Sequence, residues 1–228
     1  MAGGSLKLFI GAGVLTILLF IVLQYFGVFF ESKREDTVTE NMDQVLADFE
    51  DIEASYYLMD YLSYRNDSCD AILNQLNYQE SKLWDLDKKI GDYRDAVRDF
   101  GGEDFYLKEK RRLNLREVIY LSMLERVRQE CNNNRTVILY YYGNCKSDPA
   151  CGEQGFVLSY FNNFISNQTT ILSFDGDRDI PAVNTLMKAY NVTQYPCLVI
   201  EGHTHCGLKN REELKTLLCT YSPYLSIC

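Results

Sequence analysis

The chain has 228 residues, enough for one domain or two small ones, and its composition is acidic, with a formal net charge of −9 and a pI near 4.8. A surface of this charge offers no basic face to a phosphate backbone, so nucleic acid is excluded as an expected partner. All eight cysteines lie after residue 68, and no CxxC spacing occurs. This usage of cysteine indicates an oxidising, extracytoplasmic compartment.

N-glycosylation sequons point weakly in the same direction. Four Asn-x-Ser/Thr triplets occur, and they make four asparagines glycosylation candidates: Asn66, Asn134, Asn167 and Asn191.

The first segment, residues 1–32, is a predicted transmembrane anchor. Leu8 to Phe30 is uncharged and almost wholly apolar. As a helix, such a stretch spans roughly 34 Å, enough for the hydrocarbon core of a bilayer. The alternative is a cleaved signal peptide, but the run is long and ends in bulky residues instead of a small-residue cleavage site. With the cysteines outside, we expect a single span in the cell membrane with a cytoplasmic N-terminus.

Residues 36–132 are predicted to form a helical stalk of three helices. The first repeats apolar residues with strict 4-3 spacing from Val38 to Met59, which is typical of a coiled-coil seam. This seam predicts a homo-oligomer or a partner helix. Its alternative is packing against the chain's own helical hairpin as a three-helix bundle.

The second and third helices of the stalk form that hairpin. Gly101-Gly102 ends one helix, and a second apolar stripe continues to Cys131. Because a short turn makes the two helices antiparallel, Cys69 falls level with Asn132. We therefore expect a Cys69–Cys131 disulfide, worth roughly 4 kcal/mol for a loop of this length. The alternative is two unrelated buried thiols.

From residue 135 to 221 the pattern changes to strand–helix alternation in the order βαβαββα, followed by a tail at 222–228. The first strand, Thr136–Tyr142, is β-branched and aromatic throughout. Its helix, near Pro149–Ile165, is predicted to turn its aromatic residues inward: Phe156, Tyr160, Phe161 and Phe164. Asn210 and Glu213 form a capping box for the last helix.

Two cysteines occupy the first strand–helix junction. Cys145 lies in the loop and Cys151 in the first helical turn, after the helix-start signal Asp148-Pro149. Backbone N–H groups and the helix dipole lower thiol pKa values at this position, and the thiolate is the reactive form. The pair is therefore either a redox site or a short structural staple, which would contribute only about 2.4 kcal/mol.

This order of elements, the cysteine at the junction and the V-x-x-x-P of NVTQYPCLVIEG resemble the minimal thioredoxin fold over residues 135–220. The resemblance implies a cis Pro196 against the active-site cysteines, with Tyr195 bordering the site. By the family's order, Cys145 is the attacking thiol and Cys151 the resolving one, whereas the helix dipole alone favours Cys151 as the nucleophile. The chain departs from the family in two ways: five residues separate the cysteines, and the neighbouring tryptophan is missing.

The last four cysteines are expected to form structural disulfides. Cys197 pairs with Cys206 across or near a hairpin, and Cys219 then pairs with Cys228 by elimination, although other pairings stay open. The GHTHC turn lacks a standard zinc spacing, so no metal is expected, and no cofactor is implied.

Two functions follow from these patterns. The first is a membrane-anchored, extracytoplasmic thioredoxin-like oxidoreductase acting on protein thiols of exported proteins. The alternative is a non-catalytic thioredoxin-like scaffold or assembly module on a coiled-coil stalk. The expected fold class is α/β, a thioredoxin-like domain preceded by a transmembrane helix and a helical hairpin.

Overall fold

The computed structural model describes residues 11–29, 32–33, 68–97, 103–131, 133–143 and 149–228, which belong to two compact units, Met1–Leu46 and Ala47–Cys228. The first unit contains helix α1 (Gly11–Phe29), whose apolar side chains are exposed along its length. Its length and composition suit a membrane anchor or a signal sequence. The predicted coiled-coil seam Val38–Met59 and the sequon at Asn66 lie outside the described residues.

The second unit begins with a helical hairpin made of α2 (Ser68–Val97) and α3 (Glu103–Glu130). Cys69 and Cys131 are disulfide-bonded at its open end, with their Cα atoms 5.6 Å apart. This is the pair that the antiparallel register predicts. The two predicted stripes meet in the hairpin, and their most buried members are Leu76, Gln79, Leu83, Leu86 and Ile90 on α2 and Leu113, Tyr120, Leu124 and Val127 on α3.

The remainder is a four-stranded sheet with helices on both faces, in the chain order β1 (Thr136–Tyr142), α4 (Pro149–Ile165), β2 (Thr169–Asp175), α5 (Pro181–Ala189), β3 (Cys197–Ile200), β4 (His203–Cys206) and α6 (Arg211–Tyr221). The strand order is β2-β1-β3-β4, with β1 and β2 parallel and the other pairs antiparallel. The predicted βαβαββα order is confirmed, and the mixed α/β arrangement is consistent with a thioredoxin-like fold.

One face of the sheet packs against α4 and α6. The core there consists of alternate strand residues and the inward faces of both helices: Ile138, Tyr140, Ile171, Leu198, Ile200, Leu158, Phe161, Ile165, Leu214 and Leu218. The capping box predicted for α6 is present, since the Asn210 side chain accepts from the Glu213 N–H (3.0 Å) and Glu213 accepts from the Asn210 N–H (2.8 Å).

Helix α4 buries a different face from the predicted one. Phe156, Tyr160 and Phe164 are 79, 38 and 59% exposed, so the prediction that they turn inward is wrong, and only Phe161 does so. The inward face also carries Cys151 and Gln154, and the Gln154 carbonyl accepts the Lys209 backbone N–H at 2.7 Å. These two residues lie in line with an apolar stripe that α4 buries against the sheet: Val157, Leu158, Phe161 and Ile165.

Helix α3 covers the edge strand β2 through buried polar side chains. Asn114 donates to the Ser173 carbonyl (2.9 Å) and accepts from the Asp175 N–H (3.1 Å), and Glu117 accepts from the Ser173 N–H (2.8 Å) and from Asn114 (2.8 Å). These bonds satisfy backbone groups that β1 cannot reach. The hairpin thus closes an edge that would otherwise be open to pairing with another chain.

The Glu117 contact predicts a pH dependence of stability. Burial raises the pKa of Glu117 from 4.5 to about 7, against the lowering influence of Lys110. The folded state holds the Glu117 proton more tightly than the unfolded state does. The stabilisation that this proton gives is therefore complete below about pH 4.5 and is lost as the pH rises through 7. We expect the free energy of unfolding to fall by roughly 3 kcal/mol across this range from this group. Urea titrations at several pH values measure it, and Glu117→Gln should flatten the curve; an unchanged slope in that variant would contradict the assignment.

Candidate functional site

Cys151 occupies the first turn of α4, where the sequence places it. Its side chain is 2% exposed and disulfide-bonded. Six other cysteines pair among themselves, which leaves Cys145 as the remaining cysteine of the sequence. Cys145 lies outside the described residues, so the predicted redox pair is described only at its helical end.

One hydrogen-bonding group in β1 and another just after it lie close to Cys151. The Tyr140 hydroxyl donates to the Cys151 carbonyl at 2.5 Å and lies 3.8 Å from the sulfur. The Cys151 sulfur is also 3.6 Å from the Gly143 carbonyl oxygen. A disulfide sulfur has no proton to donate, so this second approach is a contact in the oxidised form and becomes a hydrogen bond only with the reduced thiol. Reduction of the disulfide would therefore give the Gly143 carbonyl a thiol donor that it lacks in the oxidised form.

The Tyr195 ring lies against the two glycines that follow β1 and β2, Gly143 and Gly176. A Cβ built on Gly143 would lie 2.7 Å from Tyr195 Cδ2, and one built on Gly176 would overlap the phenol end of the ring. The Tyr195 hydroxyl contacts the Met187 sulfur at 3.8 Å. Burial, followed by the charge of Asp177, raises the pKa of Tyr195, so the hydroxyl stays protonated at neutral pH.

Pro196 follows Tyr195 through a cis peptide bond, as the resemblance implies. It is buried, and the next residue, Cys197, is disulfide-bonded to Cys206 on the neighbouring strand. The tertiary structure therefore brings Cys151, Gly143 and Tyr195 together, although 52 positions separate Gly143 from Tyr195. The role of Tyr195 and Pro196 as the border of a redox site stays a prediction.

The glycines under Tyr195 predict a measurable coupling. Gly176→Ala places a methyl group where the Tyr195 ring lies, so we expect a loss of about 1–3 kcal/mol in the free energy of unfolding. In a Tyr195→Ala background this loss should disappear, which a double-mutant cycle from urea unfolding measures. Gly155→Ala on α4 is the matched control, because its Cβ meets open space, and it should gain up to about 1 kcal/mol. Equal losses in both backgrounds would mean that the ring is not the obstacle.

A buried group of charges lies beneath the end of β1, and the sequence analysis did not find it. Lys110 pairs with Asp87 and places its Nζ 5.3 Å from the centre of the Tyr142 ring. Lys110 and Glu117 are 6% and 5% exposed. Burial by itself lowers the pKa of Lys110, but Asp87, Tyr142 and Glu117 together raise it above its ordinary value, so Lys110 stays charged.

This charge group is next to the cysteine site, because Tyr142, which Lys110 contacts, is the sequence neighbour of Gly143. Tyr142 is the last residue of β1 and precedes Gly143 directly, and burial raises the pKa of its hydroxyl. The only sequence feature that could have predicted this burial is the position of Lys110 close to the apolar stripe of α3. Lysines often occupy such positions with their charged ends in water, so the pattern does not predict burial. The position of α3 on the sheet edge decides that Lys110 is buried.

The last four cysteines form the bonds Cys197–Cys206 and Cys219–Cys228. His203 is stacked on Tyr221 with ring centroids 4.2 Å apart, and His205 contacts the Tyr221 hydroxyl at 3.2 Å. Within the described ranges, no three His, Cys, Asp or Glu side chains are grouped to hold a metal ion. Of the sequons, Asn134, Asn167 and Asn191 have exposed side chains.

No protein family and no curated protein matches the sequence. Three solved structures are similar to part of the chain. A malarial protein is 15% identical with a TM-score of 0.33, over 39% of this chain and 99% of its own. Thioredoxin-2, a component of the malaria parasite protein secretion machinery, is 15% identical with a TM-score of 0.33, over 38% and 84%. The germline-specific thioredoxin Deadhead of Drosophila melanogaster is 16% identical with a TM-score of 0.34, over 44% and 92%.

Proposed function

We propose that this protein is a membrane-anchored, extracytoplasmic thiol–disulfide oxidoreductase whose Cys145/Cys151 pair exchanges disulfides with exported proteins. The observation that supports it is the position of Cys151, which is disulfide-bonded in the first turn of α4. Its sulfur contacts Gly143, and Gly143 in turn lies against the Tyr195 ring. A helix N-terminus stabilises a thiolate there, so Cys151 is a good leaving group when a thiolate attacks the disulfide at Cys145.

The burial of Cys151 favours one order of attack. A partner thiolate needs in-line access to a sulfur, and the Cys151 side chain is only 2% exposed. Attack on Cys145 forms a mixed disulfide and releases the Cys151 thiolate. When a second partner thiol resolves that bond, the partner's two thiols lose two electrons and two protons, and the Cys145–Cys151 disulfide becomes two thiols. In the reverse direction, the reduced Cys145 thiolate attacks a partner disulfide and Cys151 resolves the mixed disulfide, which is the order that the thioredoxin resemblance implies.

A redox titration of the full chain with thiol labelling tests this function. We expect the Cys145/Cys151 pair to titrate between about −270 and −120 mV, whereas a structural disulfide resists reduction below about −300 mV. Cys151→Ser should trap mixed disulfides through Cys145, and Cys219→Ser with Cys228→Ser is the control that removes a remote bond. A potential below about −300 mV, with no partner trapped in Cys151→Ser, would reject the proposal.

The location is part of the proposal. The cysteine-rich unit and the exposed sequons support an extracytoplasmic C-terminal region, and the apolar surface of α1 supports a single membrane span. Membrane-impermeant thiol labelling of intact cells, after mild reduction, should reach the cysteines of residues 69–228. Labelling that requires cell lysis would place them in the cytoplasm.

One observation favours the second candidate, a non-catalytic scaffold that binds another protein. Phe156, Tyr160 and Phe164 form an exposed aromatic row on α4, with the rings of Tyr160 and Phe164 5.0 Å apart and the Arg211 guanidinium 4.1 Å from the Tyr160 ring. Exposed aromatic and arginine side chains are enriched at protein interfaces. A chain that recovers a partner as the Cys145→Ser, Cys151→Ser double variant, but loses it in Phe156→Ser, would be this scaffold.

A further inference from the structure

A cavity of about 450 Å³ lies between α2, α4 and the edge of the sheet, away from the cysteine site. We name it the α2–α4 cavity, and its wall includes Asn77, Trp84, Asp85, Arg135, Asn162 and Asn167. Its volume is within the roughly 300–1,000 Å³ typical of small-molecule sites. The wall combines a single aromatic side chain with amides and carboxyl groups, which is a mixture that binds polar ligands.

The charge of the wall argues against an anionic ligand. Arg135 is already held by Glu80 (2.6 Å), by the Ser166 carbonyl (2.6 Å) and by the Thr169 carbonyl (2.8 Å). The guanidinium is therefore already engaged by groups of the protein. The Asp85 carboxylate adds a negative charge that repels phosphates and carboxylates.

Unused hydrogen-bonding capacity remains on this wall. The side-chain amides of Asn162 and Asn167 each present donors and acceptors side by side.

Trp84 supplies the apolar part of the wall. Its side chain is half-buried and packs on the core cluster between the sheet and α4. A ligand that matches this wall has an apolar C–H surface for the indole and a rim of neutral hydroxyl groups for the amides and Asp85. Saccharides have this combination.

We propose that the α2–α4 cavity binds a neutral saccharide unit. Two sources have the same chemistry: a free saccharide, and the first sugar of a glycan carried by Asn167 itself, since this residue is both on the wall and in a sequon. The sugar's C–H surface contacts Trp84, and its hydroxyls bind Asp85 and Asn162.

The experiment uses the full chain in a sugar-free zwitterionic detergent, because glucoside and maltoside detergents would compete. Trp84 is the only tryptophan of the sequence, so its fluorescence reports on this cavity alone. In chain made by a host without N-glycosylation, N-acetylglucosamine should change the fluorescence saturably. Asp85→Ala and Asn162→Ala should each weaken binding about tenfold, and the exposed Asp70→Ala on the same helix as Trp84 should not.

A second arm separates the two sources. If the glycan of Asn167 fills the cavity, chain from a glycosylating host should not respond to N-acetylglucosamine, and Asn167→Gln from that host should respond. If both respond equally, the ligand is a free saccharide. The proposal is overturned if the unglycosylated chain does not respond, if Asp85→Ala and Asn162→Ala respond like the parent, or if glycerol or inorganic phosphate gives the same change.

Discussion

Lys110→Met should destabilise the protein by about 1–3 kcal/mol, because it leaves the buried Glu117 and the part-exposed Asp87 without the lysine charge that both of them face. Methionine keeps the length of the side chain and its burial but not its charge. Lys110 is 6% exposed, it pairs with Asp87, and its charge faces Glu117 and Tyr142. Urea unfolding of the full chain, followed by circular dichroism, measures the loss.

Two comparisons make this result specific to the charge group. Lys108→Met on the same helix, where the side chain is exposed, should change the free energy of unfolding by less than about 0.5 kcal/mol. The loss in Lys110→Met should be larger at pH 8 than at pH 5, because Glu117 can take a proton at the lower pH. A loss no greater than that of Lys108→Met would show that the pair does not stabilise the fold.

The double variant Cys69→Ser, Cys131→Ser should lose about 4.3 kcal/mol of stability, since the bond closes the longest disulfide loop described, with a sequence separation of 62. The chain-entropy model assigns the loss to a less restricted unfolded state. In the folded state the hairpin keeps its buried stripes and its contacts with β2. Thermal and urea unfolding under non-reducing conditions measure the change.

The short loop at the C-terminus is the matched control for this bond. Cys219 and Cys228 have a sequence separation of 9, so the same model expects a loss of only about 2.7 kcal/mol from Cys219→Ser, Cys228→Ser. The long loop should therefore cost more than the short one by roughly 1.6 kcal/mol. If the Cys219→Ser, Cys228→Ser variant lost more stability than the Cys69→Ser, Cys131→Ser variant, the packing of the C-terminal tail would contribute stability in addition to the loop entropy.

Local physical chemistry made the elements of this chain readable from the sequence. The run Thr136–Tyr142 has the β-branched and aromatic residues of a buried strand, Pro149 starts a helix, and Asn210 with Glu213 caps one. The Cys69–Cys131 pair followed from helix geometry alone, because a short turn relates the two helices by position along the chain. Each of these inferences uses neighbours in sequence or a single fold-back.

The orientation of α4 and the burial of Lys110 required the tertiary structure. Helix α4 carries two apolar stripes, and only one of them packs on the sheet. The exposed stripe consists of Phe156, Tyr160 and Phe164, and the buried one of Val157, Leu158, Phe161 and Ile165, in line with the hydrogen-bonded Gln154. Burial of a lysine likewise depends on Asp87, which lies on another helix, and on α3 lying over the edge of β2. Hydrogen bonds and ion pairs between distant segments decide such cases, since their energies depend on partners that no local pattern specifies.

At the candidate site, too, some features could be predicted from the sequence and others depended on the tertiary structure. The sequence by itself determined the strand–cysteine–helix junction, and it placed Tyr195-Pro196 before β3. Only the tertiary structure decided that Tyr195 lies against Gly143 and Gly176, where a side chain at either glycine would overlap the ring. Close packing of this kind is a property of surfaces brought together by the whole fold, and a glycine in a sequence signals a turn just as readily as it signals room for a tyrosine.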